Sequence, residues 1–451
     1  MASRPALGRP GDLTMSQTPL LALAAVLAAA PLTAQGPPPA PSELTLLGAI
    51  QLGRQQAVSA TLANLGAEMA GARVGIRRAD LLPQVSGTAS ITPQTLNLEA
   101  FGFPGTVIGV TPPFTIYDLQ GRASQVIFDA AAIQRLKAAS DSAAVAGLDA
   151  QHAGALAGTA AGLAYLRVLA TRELVEARLQ DSVIAADLLG QARRFRAAGS
   201  TPAIDLTRNE VNARAVQVDL LTARNEEARA RLELLRLLNL PLDAAVRLTD
   251  SLGTPPADVP LDPATAVPFA LEHRPDVAAE AGRTAVAERS LRAIKDENLP
   301  SLGFQGAWDL AGQETDGMLY SYRLFFGMQV PIFDGLRRQR RATEQSLKLE
   351  AQAVRQREVS RQAEQEVRRA LLDLATAESA VSLATDRLAL AEQELRQARE
   401  RFDVGVAGSV GTTQAQAVVV AARNAMIQAR AGYGVARISL YQALGVLDRL
   451  Q

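Results

Sequence analysis

The chain has 451 residues, with 46 Lys and Arg against 46 Asp and Glu, two His, no Cys and 4% aromatic residues. Zero net charge gives no electrostatic reason to expect nucleic acid as a partner, and the lack of cysteine excludes disulfides, thiolate nucleophiles, Cys-ligated metals and an acylated lipobox. His152 and His273 stand alone, without ligand spacing or a triad around them. No catalytic residue, cofactor or metal site is expected, and the chain reads as a non-enzyme.

Leu20–Ala30 is an uninterrupted apolar run of eleven residues, about half of what a membrane-spanning helix needs. Pro31, the small-residue stretch ending at Ala34 and then Pro37–Pro39 follow it, so residues 1–34 read as a cleaved signal peptide, with Arg4 and Arg9 as its basic start. No later segment has 18 apolar residues in a row, so insertion into a membrane would have to use strands.

A helical segment is expected near Leu44–Ala79. Residues 81–118 then read as a β-hairpin, because Val85, Ala89 and Ile91 alternate with Gln84, Ser86, Thr88 and Ser90 and the return strand ends at Phe114–Asp118. A long helix is expected from Arg122 to Ala198, with a seam interrupted by Gly147, Gly154, Gly158 and Gly162, and a shorter one over Ala203–Leu238. Residues 241–263 carry Pro241, Pro255, Pro256 and Pro260 and separate two halves.

The second half repeats the order. After a helical Pro263–Glu297, residues 299–334 form a second hairpin, in which Phe304 and Trp308 alternate with Gln305 and Asp309. On its return strand Tyr320, Tyr322, Leu324, Phe326 and Met328 alternate with Ser321, Arg323, Phe325, Gly327 and Gln329. The two hairpins hold 11 of the 18 aromatic residues, which gives each strand pair one greasy face. Leu336–Val404 is 69 residues without Gly or Pro, about 100 Å as one helix. Within it Val367, Leu374, Val381, Leu388, Leu395 and Phe402 recur every seven residues beside Ala370, Ala377, Ala384, Ala391 and Ala398, a coiled-coil-like seam with close approach on the alanine side. A last helix covers Thr412–Leu444.

Short matches support duplication. Leu81–Gln84 resembles Asn298–Ser301, Ile116–Asp118 resembles Ile332–Asp334, Gln191–Phe195 resembles Gln397–Phe402, and Leu238–Asp243 resembles Leu444–Asp448. Residues 35–240 and 264–451 thus read as two structural repeats joined by 241–263. The fold class is mainly α with a smaller β part, built from a duplicated helix, β-hairpin, long helix, helix unit. Four strands are too few to close a transmembrane barrel of at least eight. Either several copies share one barrel, or the chain is a soluble periplasmic coiled-coil scaffold or interaction protein.

The order of elements resembles the TolC-like outer membrane efflux family. The pieces that carry it are Arg274-Pro275-Asp276-Val277, Leu299-Pro300-Ser301, Val330-Pro331-Ile332-Phe333-Asp334-Gly335 and the paired turns at Arg194-Phe195…Gly199 and Arg401-Phe402…Gly405. The resemblance implies a homotrimer with a 12-stranded outer-membrane β-barrel continued by a periplasmic α-helical barrel. Its function would be the passive exit duct of a tripartite efflux pump or type I secretion system, with a periplasmic adaptor protein, an inner-membrane transporter and outer-membrane lipid as partners. Gln305, Asp309, Ser321, Arg323 and Gln329 would line the barrel lumen, and Phe304, Trp308, Tyr320, Tyr322, Leu324 and Phe326 would face lipid. The extracellular loops would be Thr92–Gly105 and Ala311–Met318. Arg194, Phe195, Gly199, Ser200, Arg401, Phe402 and Gly405 would contact the adaptor, and Asp205 would gate the pore tip. Gly411-Thr412-Thr413-Gln414, at the matching place in the second half, carries no carboxylate. The RPD-type Pro275 has only Val58 opposite it.

Overall fold

The computed structural model describes residues 42–101, 109–199, 202–253, 255, 258–404, 406 and 409–450. The expected signal peptide, residues 1–34, lies outside them. In chain order the elements are β1 (Glu43–Leu44), α1 (Leu46–Gln56), α2 (Val58–Ala79), β2 (Gln84–Gln94), β3 (Phe114–Phe128), α3 (Ala130–Ala197), α4 (Ala203–Leu237) and β4 (Arg247–Leu248). The second series is α5 (Pro263–His273), α6 (Pro275–Asp296), β5 (Ser301–Gly312), β6 (Leu319–Gln329), α7 (Arg337–Asp403) and α8 (Ser409–Ala443). Helices in corresponding places have 11 and 11, 22 and 22, 68 and 67, and 35 and 35 residues.

Each series opens on a cap: the Thr45 hydroxyl accepts from the Gly48 amide and the Asp262 carboxylate from the Ala264 amide. The segments expected as single helices at 44–79 and 263–297 are each broken once. Ala57 (φ −57°, ψ 141°) and Arg274 (φ −79°, ψ 123°) are extended, and Val58 and Pro275 restart the helix after them. Pro275 fits its place because a first-turn amide needs no intrahelical partner. Val58 makes the same break without a proline.

The largest departure from the sequence reading is β3. It starts at Phe114 instead of ending at Asp118, and it runs to Phe128, so the long helix begins at Ala130 rather than near Arg122. The Asp129 carboxylate caps that helix by accepting from the Ala132 amide at 2.9 Å, while Asp334 accepts from the Arg338 amide at 3.1 Å at the start of α7. The partner of Ile332-Phe333-Asp334 is therefore Ile127-Phe128-Asp129, not Ile116-Tyr117-Asp118. The extra residues of the first half lie in its hairpin.

The glycines expected to interrupt the α3 seam leave the helix continuous. A Cβ on Gly158 would fall 2.6 Å from Arg54 Cγ, and one on Gly162 would fall 3.0 Å from Ile50 Cγ1, so these positions let α1 lie against α3. An 18-residue window of α3 with mean hydropathy 1.4 is 56% buried inside the fold. The main core gathers there. Tyr165, Leu169, Leu234, Leu238, Ile438, Tyr441, Leu444 and Leu450 are almost fully buried together.

Residues 241–263 are more than a separator. β4 pairs in parallel with β1, Glu43 opposite Arg247 and Leu44 opposite Leu248. The Tyr165 hydroxyl lies 2.9 Å from the Leu44 carbonyl and 3.0 Å from Asp250 Oδ2, and Asp250 also accepts from the Leu46 amide at 2.6 Å. Burial pushes the Tyr165 hydroxyl pKa up. Further along, the Asp258 amide donates to the Tyr441 hydroxyl at 2.9 Å and the Tyr433 hydroxyl donates to the Pro255 carbonyl at 2.8 Å. The segment is a strap bound to α3 and α8.

Candidate functional site

The two hairpins join through β3 and β5 into one antiparallel sheet of order β2-β3-β5-β6. Residues directly opposite each other share a face. On one face Phe304 opposes Phe326, Trp308 opposes Tyr322, Leu310 opposes Tyr320 and Gly306 opposes Leu324. The Phe304 and Phe326 rings are 4.8 Å apart. Leu119 and Gly121 of β3 continue this face, and the Trp308 indole lies so close over Gly121 that a Cβ there would fall 2.3 Å from the ring. Tyr320, Tyr322, Leu324, Phe326 and Met328 are between 61% and 72% exposed, a contiguous apolar surface that none of the described residues covers.

The opposite face is polar. One row across it is Thr88, Gln120, Asp309 and Ser321, and the Gln120 side-chain amide donates to the Asp309 carboxylate. The register puts Gln305, Asp309, Ser321, Arg323 and Gln329 together on this face, and Phe304, Trp308, Tyr320, Tyr322, Leu324 and Phe326 on the other. Sequence reasoning missed Gln120, Arg122 and Ser124, which join the polar face from β3. A helix starting near Arg122 takes in Arg122 and Ser124, and Gln120 falls between that helix and the hairpin ending at Asp118, whereas all three lie in β3. Phe325 also lies on the polar face, opposite Gln305.

Below the sheet, Glu297 ties three helices. It accepts from Arg135 of α3 at 2.8 Å and from Arg341 of α7 at 2.7 Å, directly after the end of α6. Burial works to raise its pKa, and the hydrogen bonds and charges of the two arginines outweigh it, so the carboxyl sits below its ordinary 4.5. A group depressed in the folded state stabilises above its unfolded pKa and loses that contribution as pH falls through the folded one. Glu297→Gln is therefore expected to lower stability at pH 7 by about 2 kcal/mol, the scale of a hydrogen bond to a charged group. It should also flatten the further loss of stability below pH 4.5. Thermal melts at pH 7 and pH 3.5 check both parts.

Arg274 plays the matching part lower down. Its side chain, 8% exposed, donates to Asp276 at 2.7 and 3.1 Å, to Glu366 of α7 at 2.6 Å and to the Ala443 carbonyl at the end of α8 at 3.3 Å. Burial tends to raise Asp276, and Arg274 overrides it and holds the carboxyl below its ordinary 3.8. Farther along the bundle, Asp181 of α3 is held by Arg178 at 3.0 Å and by Arg423 of α8 at 2.8 Å, and Arg423 reaches toward Glu392 of α7 at 3.9 Å. Here burial prevails and pushes the Asp181 carboxyl up, against the lowering by Arg423 and Arg178.

The α7 seam is as the heptads suggest: Val367, Leu374, Leu395 and Phe402 are buried with Ala370, Ala384 and Ala391. At the far end of the helices Phe195 and Phe402 meet edge to face, with centroids 5.5 Å apart. Gly199 follows α3 with φ +74°, a left-handed conformation that glycine adopts without a Cβ penalty. Arg194 and Arg401 are exposed beside this contact. Asp205 stands in the first turn of α4, 14% exposed and 3.7 Å from Arg208. The Asn212 side chain donates to Gln416 of α8 at 3.4 Å, close behind it. Ser200 and Gly405 lie outside the described residues.

Residues 267–446 match the family described as outer membrane efflux protein. This stretch of the second repeat is similar to outer membrane efflux proteins. Comparison of the fold extends the likeness over both halves. The Campylobacter jejuni CmeC outer membrane channel aligns with a TM-score of 0.78 at 16% identity, over 89% of this chain and 86% of that one. The Vibrio cholerae outer membrane protein VceC aligns at 0.73 and 16% identity, over 89% and 96%. The open state of the Neisseria gonorrhoeae MtrE outer membrane channel aligns at 0.72 and 19%, over 89% of each. These likenesses establish the fold of these outer membrane channels over 89% of this chain. A comparison with curated protein sequences gives no match.

Proposed function

We propose that the protein is the outer-membrane exit duct of a tripartite efflux pump or type I secretion system, acting as a homotrimer. The observation that carries this reading is the bare apolar face of the sheet, backed by a polar face and set on helices of 68 and 67 residues, about 100 Å long. The apolar face suits lipid and the polar face a wet lumen. Among the described residues the edges β2 and β6 each leave one side of an 11-residue strand unpaired, which lipid does not tolerate. Three copies joined edge to edge supply the twelve strands of a closed barrel. A soluble scaffold gives no use for the bare face.

The helices support sharing as well. Leu62, Met69 and Ile76 of α2, and Ile204, Val211 and Val218 of α4, recur every seven residues and are all exposed in the single chain. Such stripes are half-seams awaiting another copy. In the trimer Gln305, Asp309, Ser321, Arg323 and Gln329 line the lumen, and Phe304, Trp308, Tyr320, Tyr322, Leu324 and Phe326 meet lipid. The residues before and after the tip turns, Arg194, Phe195, Gly199 and Ser200 with Arg401, Phe402 and Gly405, receive a periplasmic adaptor, and Asp205 stands where the pore narrows. Transport through such a duct is passive, with energy supplied by an inner-membrane transporter.

The test of the duct is conductance. Purified protein added to a planar lipid bilayer should give discrete, equal steps of current, and a bilayer that stays silent contradicts the reading. The tip has its own test: Gly405→Trp is expected to abolish pump-dependent resistance or secretion while membrane level and oligomer stay normal, and unchanged transport removes the docking role.

A further inference from the structure

We propose that Arg122 and Arg323 form an anion-binding station on the polar face of the sheet, taking solutes that carry a phosphate group or two carboxylates. The inference deepens the duct reading and rests on it for placing this face in the lumen. Arg122 of β3 and Arg323 of β6 both stand opposite Ala307 of β5, so the two arginines share a row across three strands. Adjacent strands are about 4.8 Å apart, which sets the two Cα atoms about 10 Å from each other with only a methyl group between them. Both side chains are exposed.

Three arginines below the sheet are engaged: Arg135 and Arg341 hold Glu297, and Arg338 holds Asp334. Arg122 and Arg323 make no hydrogen bond or ion pair among the described residues. The nearest carboxylate along the face, Asp309, is one register step away and accepts from Gln120. Hydroxyls lie beside the pair, with Gln120 and Phe325 in the other neighbouring places on its strands. Ser86 opposes Arg122 on β2, and Ser124 and Ser321 each lie one step along the same face.

Two guanidiniums over a small residue match a multiply charged anion, because each fork offers paired donors to a phosphate or carboxylate. An anion between them also relieves their mutual repulsion. Arginine rings on a pore wall favour anions, and conduction requires that such binding be weak enough to release the solute. Outward along β3 and β5 from this row come Asp118 and Asp309, so an anion leaving the station next meets carboxylates that do not hold it. Three copies would place three such stations around one lumen.

Pyrophosphate is a suitable probe. Equilibrium dialysis of labelled pyrophosphate against the purified full-length protein should show saturable binding, and Arg122→Gln with Arg323→Gln should weaken it by about tenfold or more while oligomer and fold stay intact. Arg323→Gln alone should fall between, and the double Lys variant should retain more binding than the double Gln variant. In planar bilayers pyrophosphate should reduce the wild-type current at concentrations that leave the double Gln channel open. Equal binding and equal block in the two proteins overturn the station while leaving a conducting duct. Arginine-dependent binding to a protein that never conducts keeps the station and overturns the duct.

Discussion

Replacing Tyr322 and Phe326 together by Lys is expected to remove the protein from the outer membrane. Both rings stand on the bare face, 69% and 72% exposed, opposite Trp308 and Phe304. A lysine on the lipid face of a barrel costs about 2–4 kcal/mol near the bilayer midplane. Two of them approach the whole stability of an ordinary domain, about 5–15 kcal/mol. Ser321→Lys, one residue away on the polar face, is the matched control and should leave membrane level unchanged. Quantifying each variant in the membrane fraction decides between lipid contact and a soluble role, because a soluble protein would gain solubility from the same two lysines and keep its location.

The second large effect is expected from Arg274→Ala. The arginine is buried where the α5–α6 break meets α7 and the end of α8, and four acceptor atoms converge on it. Removing one partner of a buried ion pair leaves the remaining charge desolvated, at a cost of about 3–5 kcal/mol. Asp276 then loses what holds its pKa down, and burial raises it. Arg274→Lys keeps the charge and loses the fork, so it should fall between. Denaturant titration of the solubilised protein measures all three. A loss under 1 kcal/mol for Ala would mean that the helix break is held by packing alone.

The parts of this fold that could be read from the sequence are those whose signal lies within one element. The α7 seam repeats every seven residues for ten turns, and β6 alternates bulky and polar residues along its length, so helix and strand were both plain. β3 was not. The positions after Leu119 on its apolar face hold only Gly121, Ala123 and the polar Gln125, and the bulk over Gly121 is supplied by Trp308 from β5. A strand whose hydrophobic cover belongs to its neighbour shows no alternation of its own. The same blindness shifted the match of Ile332–Asp334 by eleven residues, to Ile116–Asp118 in place of Ile127–Asp129.

Long-range contacts explain the other departures. Gly154, Gly158 and Gly162 look like breaks in a helix until α1 is laid against them. Residues 241–263 look like a linker until Tyr165, Tyr433 and Tyr441 are seen to hold them from α3 and α8. The Arg274 motif was visible, but its partner Glu366 lies 92 residues away. At the tip the paired Phe positions were legible in both halves, and only the structure brings Phe195 and Phe402 into contact.

The most direct test of the duct is electrophoresis of the outer-membrane fraction with and without boiling. The exposed sheet edges and heptad stripes predict a species in that fraction that migrates as a trimer when unheated and collapses to one chain on boiling. A mature protein recovered in the osmotic-shock fluid, running as one chain under both conditions, would contradict a shared barrel and leave a helical periplasmic rod.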